Sequence, residues 1–262
     1  MDFAQRYGPW ALVAGASEGI GAAFARELAR RGVDLVLVAR RSEPLAELAR
    51  EIAGFARVQV RCLPLDLARA DAAAELLRQT SEQEVGLVVY NAALAPGGDF
   101  LEIPLAQQLA ALDVNTRGPL ALAHGFGQRM AARGHGGLIV LSSLTAFQGS
   151  PFVTTYGATK SFLLSLSEGL WYELAPRGVD VLCVLAGATR TPNYLRQRAE
   201  GGAPGELEPD QVAREALAKL GRAPSMIPGR FNRFASQLLR RALPRRTAIS
   251  IMGAQTRRLS KP

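Results

Sequence analysis

The first apolar segment of the chain runs straight into glycine: Trp10-Ala11-Leu12-Val13-Ala14-Gly15-Ala16-Ser17-Glu18-Gly19-Ile20-Gly21. Residues up to Ala14 read as a short strand, and a helix follows through about Arg31. A strand that enters a helix through such a turn has the shape of a dinucleotide-phosphate loop. Glycines let backbone approach a pyrophosphate, and the helix N-terminus offers free N–H groups and the positive end of its dipole. The glycines stand as G-x-x-x-G-x-G, whereas the more widespread fingerprint is G-x-G-x-x-G. A glycine cluster alone is weak evidence, and a plain strand-to-helix turn is the simpler reading until something downstream decides.

Beyond this turn, apolar runs alternate with helical periodicity, the pattern of a doubly wound sheet. Strands are expected near Trp10–Ala14, Val33–Ala39, Val58–Leu63, Val85–Tyr90, Gly137–Leu141, Val179–Leu185 and, briefly, Ser225–Ile227. The predicted fold class is α/β, with a mainly parallel seven-stranded sheet and helices on both faces. At 262 residues the chain exceeds the usual domain size but stays within the range of single α/β units. Residues 1–229 form the expected catalytic domain, and 230–262 a basic amphipathic extension, either part of that domain or a lid or surface element. Arg133–Gly137 reads as a turn, and Glu200–Glu206 as the loosest segment, part of a mobile lid.

What decides the glycine turn is Tyr156-Gly157-Ala158-Thr159-Lys160, thirteen residues after Ser143. Four residues apart on a helix, the phenol and the ammonium share a face. The ammonium favours the phenolate and should lower a pKa that is ordinarily near ~10. The pair reads as a poised acid and base.

With these motifs in place the chain resembles the short-chain dehydrogenase/reductase family over about Trp10 to Pro192, in the branch of long-chain 3-oxoacyl reductases and hydroxysteroid dehydrogenases. Gly15, Gly19 and Gly21 match its glycine motif, with Ser17, Glu18 and Ile20 between them. Asp66, followed by Leu67, matches its adenine-contacting acid, and Asn91-Ala92 its post-strand motif, with Ala93 next in the expected cofactor contacts. Asn115, Ser143, Tyr156 and Lys160 match its catalytic positions, Thr191 matches the position that binds the carboxamide, and Gly187 and Thr189 are expected cofactor contacts just before it. Three positions depart from the pattern. Ala14 replaces a usual Thr, Ala93 a usual Gly, and Ala186 a usual Pro. The first removes a hydroxyl that would tie the glycine loop to the Asn91 turn, so weaker cofactor binding is expected.

The resemblance implies hydride transfer coupled to proton transfer. Tyr156 would protonate a carbonyl oxygen that Ser143 also contacts. Lys160 would hold the nicotinamide ribose and keep the phenol acidic, and Asn115 would anchor a water that relays protons toward Lys160. Cofactor choice turns on the residues after the second strand, which meet the adenosine ribose. A carboxylate there suits NAD; this chain has Arg40-Arg41, whose planar forks suit a 2′-phosphate. Glu18 argues mildly the other way. NADP(H) is the preferred cofactor, with NAD(H) as the alternative. A homodimer or homotetramer is also implied.

Charge is unevenly placed. Net charge is +8, yet from Ala216 onward there is no Asp or Glu, while eleven of the 31 basic residues lie there. Phe231, Phe234, Ala235 and Leu238 recur at helical spacing within this stretch, and Ala248, Ile251 and Met252 do so beyond Pro244. Such a pair of helices can lie on an anionic membrane, receive an acyl carrier or acyl-CoA, or pack its apolar face on the sheet. Nucleic acid is not expected, since no reader motif is present. Arginine greatly outnumbers lysine, as in proteins of GC-rich genomes.

Cys62 and Cys183 fall in expected strands, far apart and without CxxC spacing, and with only two histidines no metal site is expected. No apolar run reaches membrane-span length and Met1–Arg6 lacks a signal-peptide core, so a cytoplasmic protein is expected, with peripheral membrane contact through the tail as an added option. Leu94, Leu144, Phe147, Phe152, Tyr194 and Leu195 around the site are mostly apolar and favour a hydrophobic ketone or its alcohol. A non-catalytic NADP-binding sensor or scaffold on the same fold is the rival from another class, and an NAD-dependent alcohol dehydrogenase the rival within it.

Overall fold

The computed structural model describes residues 3–197 and 202–259. Seven strands, β1 (Trp10–Ala14), β2 (Asp34–Ala39), β3 (Val60–Pro64), β4 (Val85–Tyr90), β5 (Gly136–Ser143), β6 (Val179–Ala186) and β7 (Ser225–Met226), form one sheet. Their order is β3-β2-β1-β4-β5-β6-β7, with every pairing parallel. The near-continuous apolar runs have a simple cause. Parallel strands joined by crossover helices are covered on both faces, and Ala11, Leu12, Val13 and Ala14 of β1 have no exposed surface.

One face is covered by α2 (Gly19–Arg30), α3 (Ser42–Ala53) and α9 (Pro209–Lys219), which bury Phe24, Leu28, Leu45, Ile52, Val212 and Leu217. The other is covered by α4 (Ala72–Gln79), α6 (Gly118–Arg133) and α7 (Thr154–Leu174), with Leu76, Leu122, Phe126 and Met130 in the core. Phe24 and Phe126 are fully buried, one on each side. Each contributes about 1.5–3 kcal/mol of apolar burial. The remaining helices are short α1 (Phe3–Tyr7), α5 (Leu105–Leu112), α8 (Pro192–Gln197), and the C-terminal pair α10 (Arg230–Ala242) and α11 (Arg245–Leu259).

Strand boundaries differ from the expected ones where pairing overrides apolarity. β3 starts at Val60, not Val58, because its register with β2 begins at Leu35↔Val60. β5 runs two residues past Leu141 because β6 accompanies it from Gly136↔Val179 to Ser143↔Ala186. Ser143 is thereby the last residue of a strand. The expected turn at 133–137 is closed by Gly134 in the left-handed region (φ 79), and Gly136 already belongs to β5.

The C-terminal pair only partly follows expectation. α11 packs inward: buried Thr256 donates to the Pro151 carbonyl at 2.6 Å, and the Arg257 guanidinium lies 4.8 Å from the Phe152 ring centre. α10 is inverted, burying Asn232 and Ser236 and exposing Phe231, Phe234 and Leu238. An apolar face packed on the sheet is therefore wrong for α10. Its inner side meets backbone, which a small polar residue satisfies: the Asn232 amide donates to the Gly205 carbonyl at 3.0 Å. Glu200 and Gly201 of the expected loose segment and Lys261 of the basic tail lie outside the described residues. No helix among the described residues is long and apolar enough to cross a membrane.

Candidate active site

The strand order reverses between β1 and β4, and the crevice beyond their C-terminal ends is where open parallel sheets bind ligands. The chain leaves β1 through Gly15, whose φ of 83° lies in the left-handed region and whose added Cβ would stand 2.6 Å from the Ala92 nitrogen. A Cβ on Gly21 would overlap the Gly15 carbonyl oxygen. Both positions need glycine, for different reasons. The Asn91 side-chain amide donates to the Gly15 carbonyl at 2.9 Å, and the Asn91 and Ala92 N–H groups both donate to the Ala14 carbonyl. The loop is thus tied to the Asn91 turn without the hydroxyl that Ala14 lacks. Glu18 precedes α2 in extended conformation with no side-chain cap, so the first N–H groups of a 12-residue helix face the crevice unpaired by a cap.

A groove of about 480 Å³ occupies this crevice, and Gly15, Ser17, Glu18, Gly19, Ile20, Arg40, Arg41, Asp66, Leu67, Asn91, Ala92, Ala93 and Thr191 line it. The residues fit a nicotinamide dinucleotide. The cradle has no room for a Cβ, amide donors sit at its centre, and two guanidinium groups stand at its adenosine end. Arg40 makes no ion pair among the described residues, whereas Arg41 lies 3.5 Å from Glu18, which also stands 3.9 Å from Arg196. Gly187 and Thr189 do not line the groove, and the Thr189 hydroxyl donates to the Gly187 carbonyl at 3.1 Å. Of the expected cofactor contacts Gly187, Thr189 and Thr191, only Thr191 lines the groove.

Ser143 lies at the tip of β5 and Tyr156 in the first turn of α7, with the serine hydroxyl near enough to act on the phenol. The Thr145 N–H donates to the Ser143 hydroxyl oxygen at 3.2 Å, which leaves the serine proton free to point elsewhere. Lys160 shares the helix face of Tyr156, with its nitrogen 5.3 Å from the ring centre, and donates to the Leu141 carbonyl at 2.7 Å. Burial pushes the Lys160 pKa down to about 8. Burial also raises that of Tyr156, with the Ser143 hydrogen bond opposing it. The expected lowering of the phenol pKa by lysine is therefore reversed in this state. The ammonium is itself desolvated and bonded to a carbonyl, so desolvation of the phenolate dominates. A phenol in this setting is a proton donor at neutral pH.

Asn115 sits in a single π-helical turn, Asp113–Arg117, between α5 and α6. It is fully buried: its Oδ1 accepts from the Leu94 N–H at 2.8 Å, and its Nδ2 donates to the Leu94 carbonyl at 2.7 Å and to the Thr159 hydroxyl at 3.0 Å. Both amide hydrogens are committed to protein, so the side chain has none to give a relay water. The Thr159 hydroxyl in turn donates to the Tyr156 carbonyl at 2.7 Å. Thr159 thus braces Tyr156 to the Asn115 turn. Sequence reading missed it, although a threonine directly before Lys160 on the catalytic helix face was a visible signal.

The short chain dehydrogenase family profile matches residues 9–200. The chain is 35% identical over 235 residues to a 7beta-hydroxysteroid dehydrogenase of Clostridium sardiniense, covering 89% of this chain and 90% of that one. A structure solved in work on 7beta-hydroxysteroid dehydrogenase stereoselectivity superposes with a TM-score of 0.90 at 31% identity, over 96% of this chain and 99% of the other. A short-chain dehydrogenase from Sphingobium yanoikuyae in complex with NADPH superposes with a TM-score of 0.76 at 32% identity, over 90% and 96%.

Two outcomes are expected from this geometry. Lys160→Met should raise unfolding stability below pH 8 by on the order of 1–3 kcal/mol, because the folded wild type there holds a buried ammonium at a cost. Between pH 8 and about 10.5 the folded lysine is neutral while the unfolded one is still charged, so wild-type stability rises with pH and the gain fades. Thermal melts of both proteins across that window check the sign. Thr159→Val leaves an Asn115 N–H without its acceptor, and turnover should fall between about ten- and a hundredfold as Tyr156 shifts. Thr159→Ser should restore it, as steady-state kinetics on the three proteins would show.

Proposed function

The chain belongs to the short-chain dehydrogenase family, and on that premise we propose that it interconverts a hydrophobic ketone and its secondary alcohol with NADP(H). The observation that carries this is the Ser143–Tyr156 pair, a phenol kept protonated by burial beside a hydroxyl with a free proton. The nicotinamide cofactor, when bound, supplies or accepts the hydride.

This chain's residues do the rest. Gly15, Ser17, Gly19, Ile20 and Gly21 carry the pyrophosphate against the start of α2, and Asp66 and Leu67 flank the adenine. Arg40 and Arg41 take the ribose 2′-phosphate as a charge-assisted contact. Asn91, Ala92 and Ala93 would form the floor and Thr191 would hold the carboxamide, while Gly187 and Thr189, bonded to each other, would shape the turn that carries it. In the reducing direction Tyr156 gives its proton to the ketone oxygen while Ser143 donates a hydrogen bond to the same atom. The phenolate left behind faces the Lys160 ammonium, which supports it electrostatically. Asn115, through Thr159, keeps Tyr156 in place. The similarity to hydroxysteroid dehydrogenases supports a bulky apolar ketone, as do Leu94, Leu144 and Phe152 around the site.

Residues 1–229 and the extension 230–262 are taken as one working unit, supported by the bond from Thr256 to Pro151 and by the stacking of Arg240 and Arg257 on Phe147 and Phe152. A homo-oligomer is part of the proposal. Leu105, Leu109 and Leu112 form an exposed row on α5, with Phe162 and Tyr172 exposed on α7, an apolar face suited to a second copy. The enzyme is placed in the cytoplasm, where reduced nicotinamide cofactors are available. A second reading, an NAD-dependent alcohol dehydrogenase, is favoured by one observation: Glu18 takes up part of the charge of Arg41. The sensor or scaffold reading has no such support, since it needs neither Tyr156 nor Lys160.

Tyr156→Phe removes the transferable proton and keeps the ring, so turnover of a ketone panel should fall by about 10²-fold or more while NADPH still binds, as read by fluorescence titration. Near wild-type turnover would remove Tyr156 from the chemistry. Arg40→Ala removes a charge-assisted contact worth about 1.5–3 kcal/mol, so NADPH affinity should drop about tenfold or more with NADH hardly changed. Equal weakening of both cofactors would assign the 2′-phosphate elsewhere.

A further inference from the structure

α10 is amphipathic with its apolar row turned to solvent. Phe231, Phe234 and Leu238, at helical spacing, are 56%, 67% and 54% exposed, while Asn232 and Ser236 face the protein. On a helix the row is flanked on one side by Arg230 and Arg241, each three or four residues from Phe234 or Leu238. Arg233 is spent on Glu215 at 3.2 Å and Arg240 on the Phe147 ring at 4.0 Å. Arg230 and Arg241 make no ion pair among the described residues, nor do Arg245 and Arg246, exposed where α11 begins. No acidic residue occurs from Ala216 onward.

What fits this face is constrained by charge and shape. A second copy would meet it through the same patch, because a two-fold contact is self-complementary, and would set arginine against arginine, the nearby Glu215 carboxylate being already paired with Arg233. The row stands on the outer side of a helix, so a partner inserts nothing into it; the row must itself insert. An apolar row rimmed by cations alone matches a surface that is anionic outside and apolar beneath. We propose that α10 lies in the plane of an anionic lipid surface, with Phe231, Phe234 and Leu238 at the headgroup boundary and Arg230, Arg241, Arg245 and Arg246 on lipid phosphates. The inner side of α10 holds the Gly205 carbonyl through Asn232 and covers Phe147, four residues after Ser143. Docking would thus set the substrate side of the cleft against the bilayer, where hydrophobic ketones partition, a benefit that rests on the proposed function although the docking does not.

The test is co-sedimentation of the full-length protein with phosphatidylcholine vesicles and with vesicles that also contain phosphatidylglycerol, at low and high salt. Binding is expected only to the anionic vesicles, and salt should weaken it. Phe234→Ser/Leu238→Ser should lower that affinity by about tenfold or more with turnover of a soluble ketone unchanged. Arg230→Gln/Arg241→Gln should lower it by about fivefold per arginine and flatten the salt dependence. The proposal is overturned if the full-length protein ignores anionic vesicles at low salt, if it binds neutral vesicles equally, or if the Phe234/Leu238 variant binds like wild type. It is also overturned if that variant instead loses self-association in sedimentation velocity, which would assign the row to a second copy. Because binding is read without turnover, a protein inactive on every ketone could still pass, and an active one could still fail.

Discussion

Everything that places the site depends on how closely backbone approaches backbone where β1 meets β4. Two successive N–H groups, those of Asn91 and Ala92, converge on the Ala14 carbonyl, and the Asn91 amide reaches the next carbonyl, that of Gly15. This locks the exits of two neighbouring parallel strands together just where the sheet changes direction. No side chain fits between them, so the crevice has a backbone floor that an anion or a ribose can approach closely. The tie expected from a hydroxyl at position 14 is made here by main-chain N–H groups and the Asn91 amide.

Upon that floor the chemistry is set by burial. Lys160 and Tyr156 share one helix face, and desolvation pushes each toward its neutral form. The ammonium keeps a carbonyl and the phenol keeps a hydroxyl. The pair therefore holds its proton on Tyr156 until a charged or polar group in the crevice changes the balance, as suits a donor to a carbonyl oxygen.

The sheet, its seven strands and the glycine turn were legible because they rest on local patterns of apolar runs and glycine spacing, whereas Asp66 and Asn91 in the groove were reached only through the family resemblance. What stayed hidden depended on partners distant in sequence. Thr159 matters through Asn115, 44 positions away, and Asn115 through Leu94. The orientation of α10 could not be read from its periodicity, since Phe231, Phe234 and Leu238 announce an apolar face without saying where it points. Only the carbonyl of Gly205, waiting for the Asn232 amide, turns that helix over. The phenol pKa erred for a related reason: spacing shows a neighbouring charge but not how much water has been removed around both groups.

The bond from Thr256 to the Pro151 carbonyl joins residues 105 positions apart, and the loop it holds lies between Ser143 and Tyr156. A contact of such sequence separation forms late, since the intervening chain must be in place before it can close. While α11 is still within the ribosome during synthesis that bond cannot form, and the segment between Ser143 and Tyr156 lacks this pin. The segment between Ser143 and Tyr156 is thus completed by a part of the chain made after the sheet and the glycine turn.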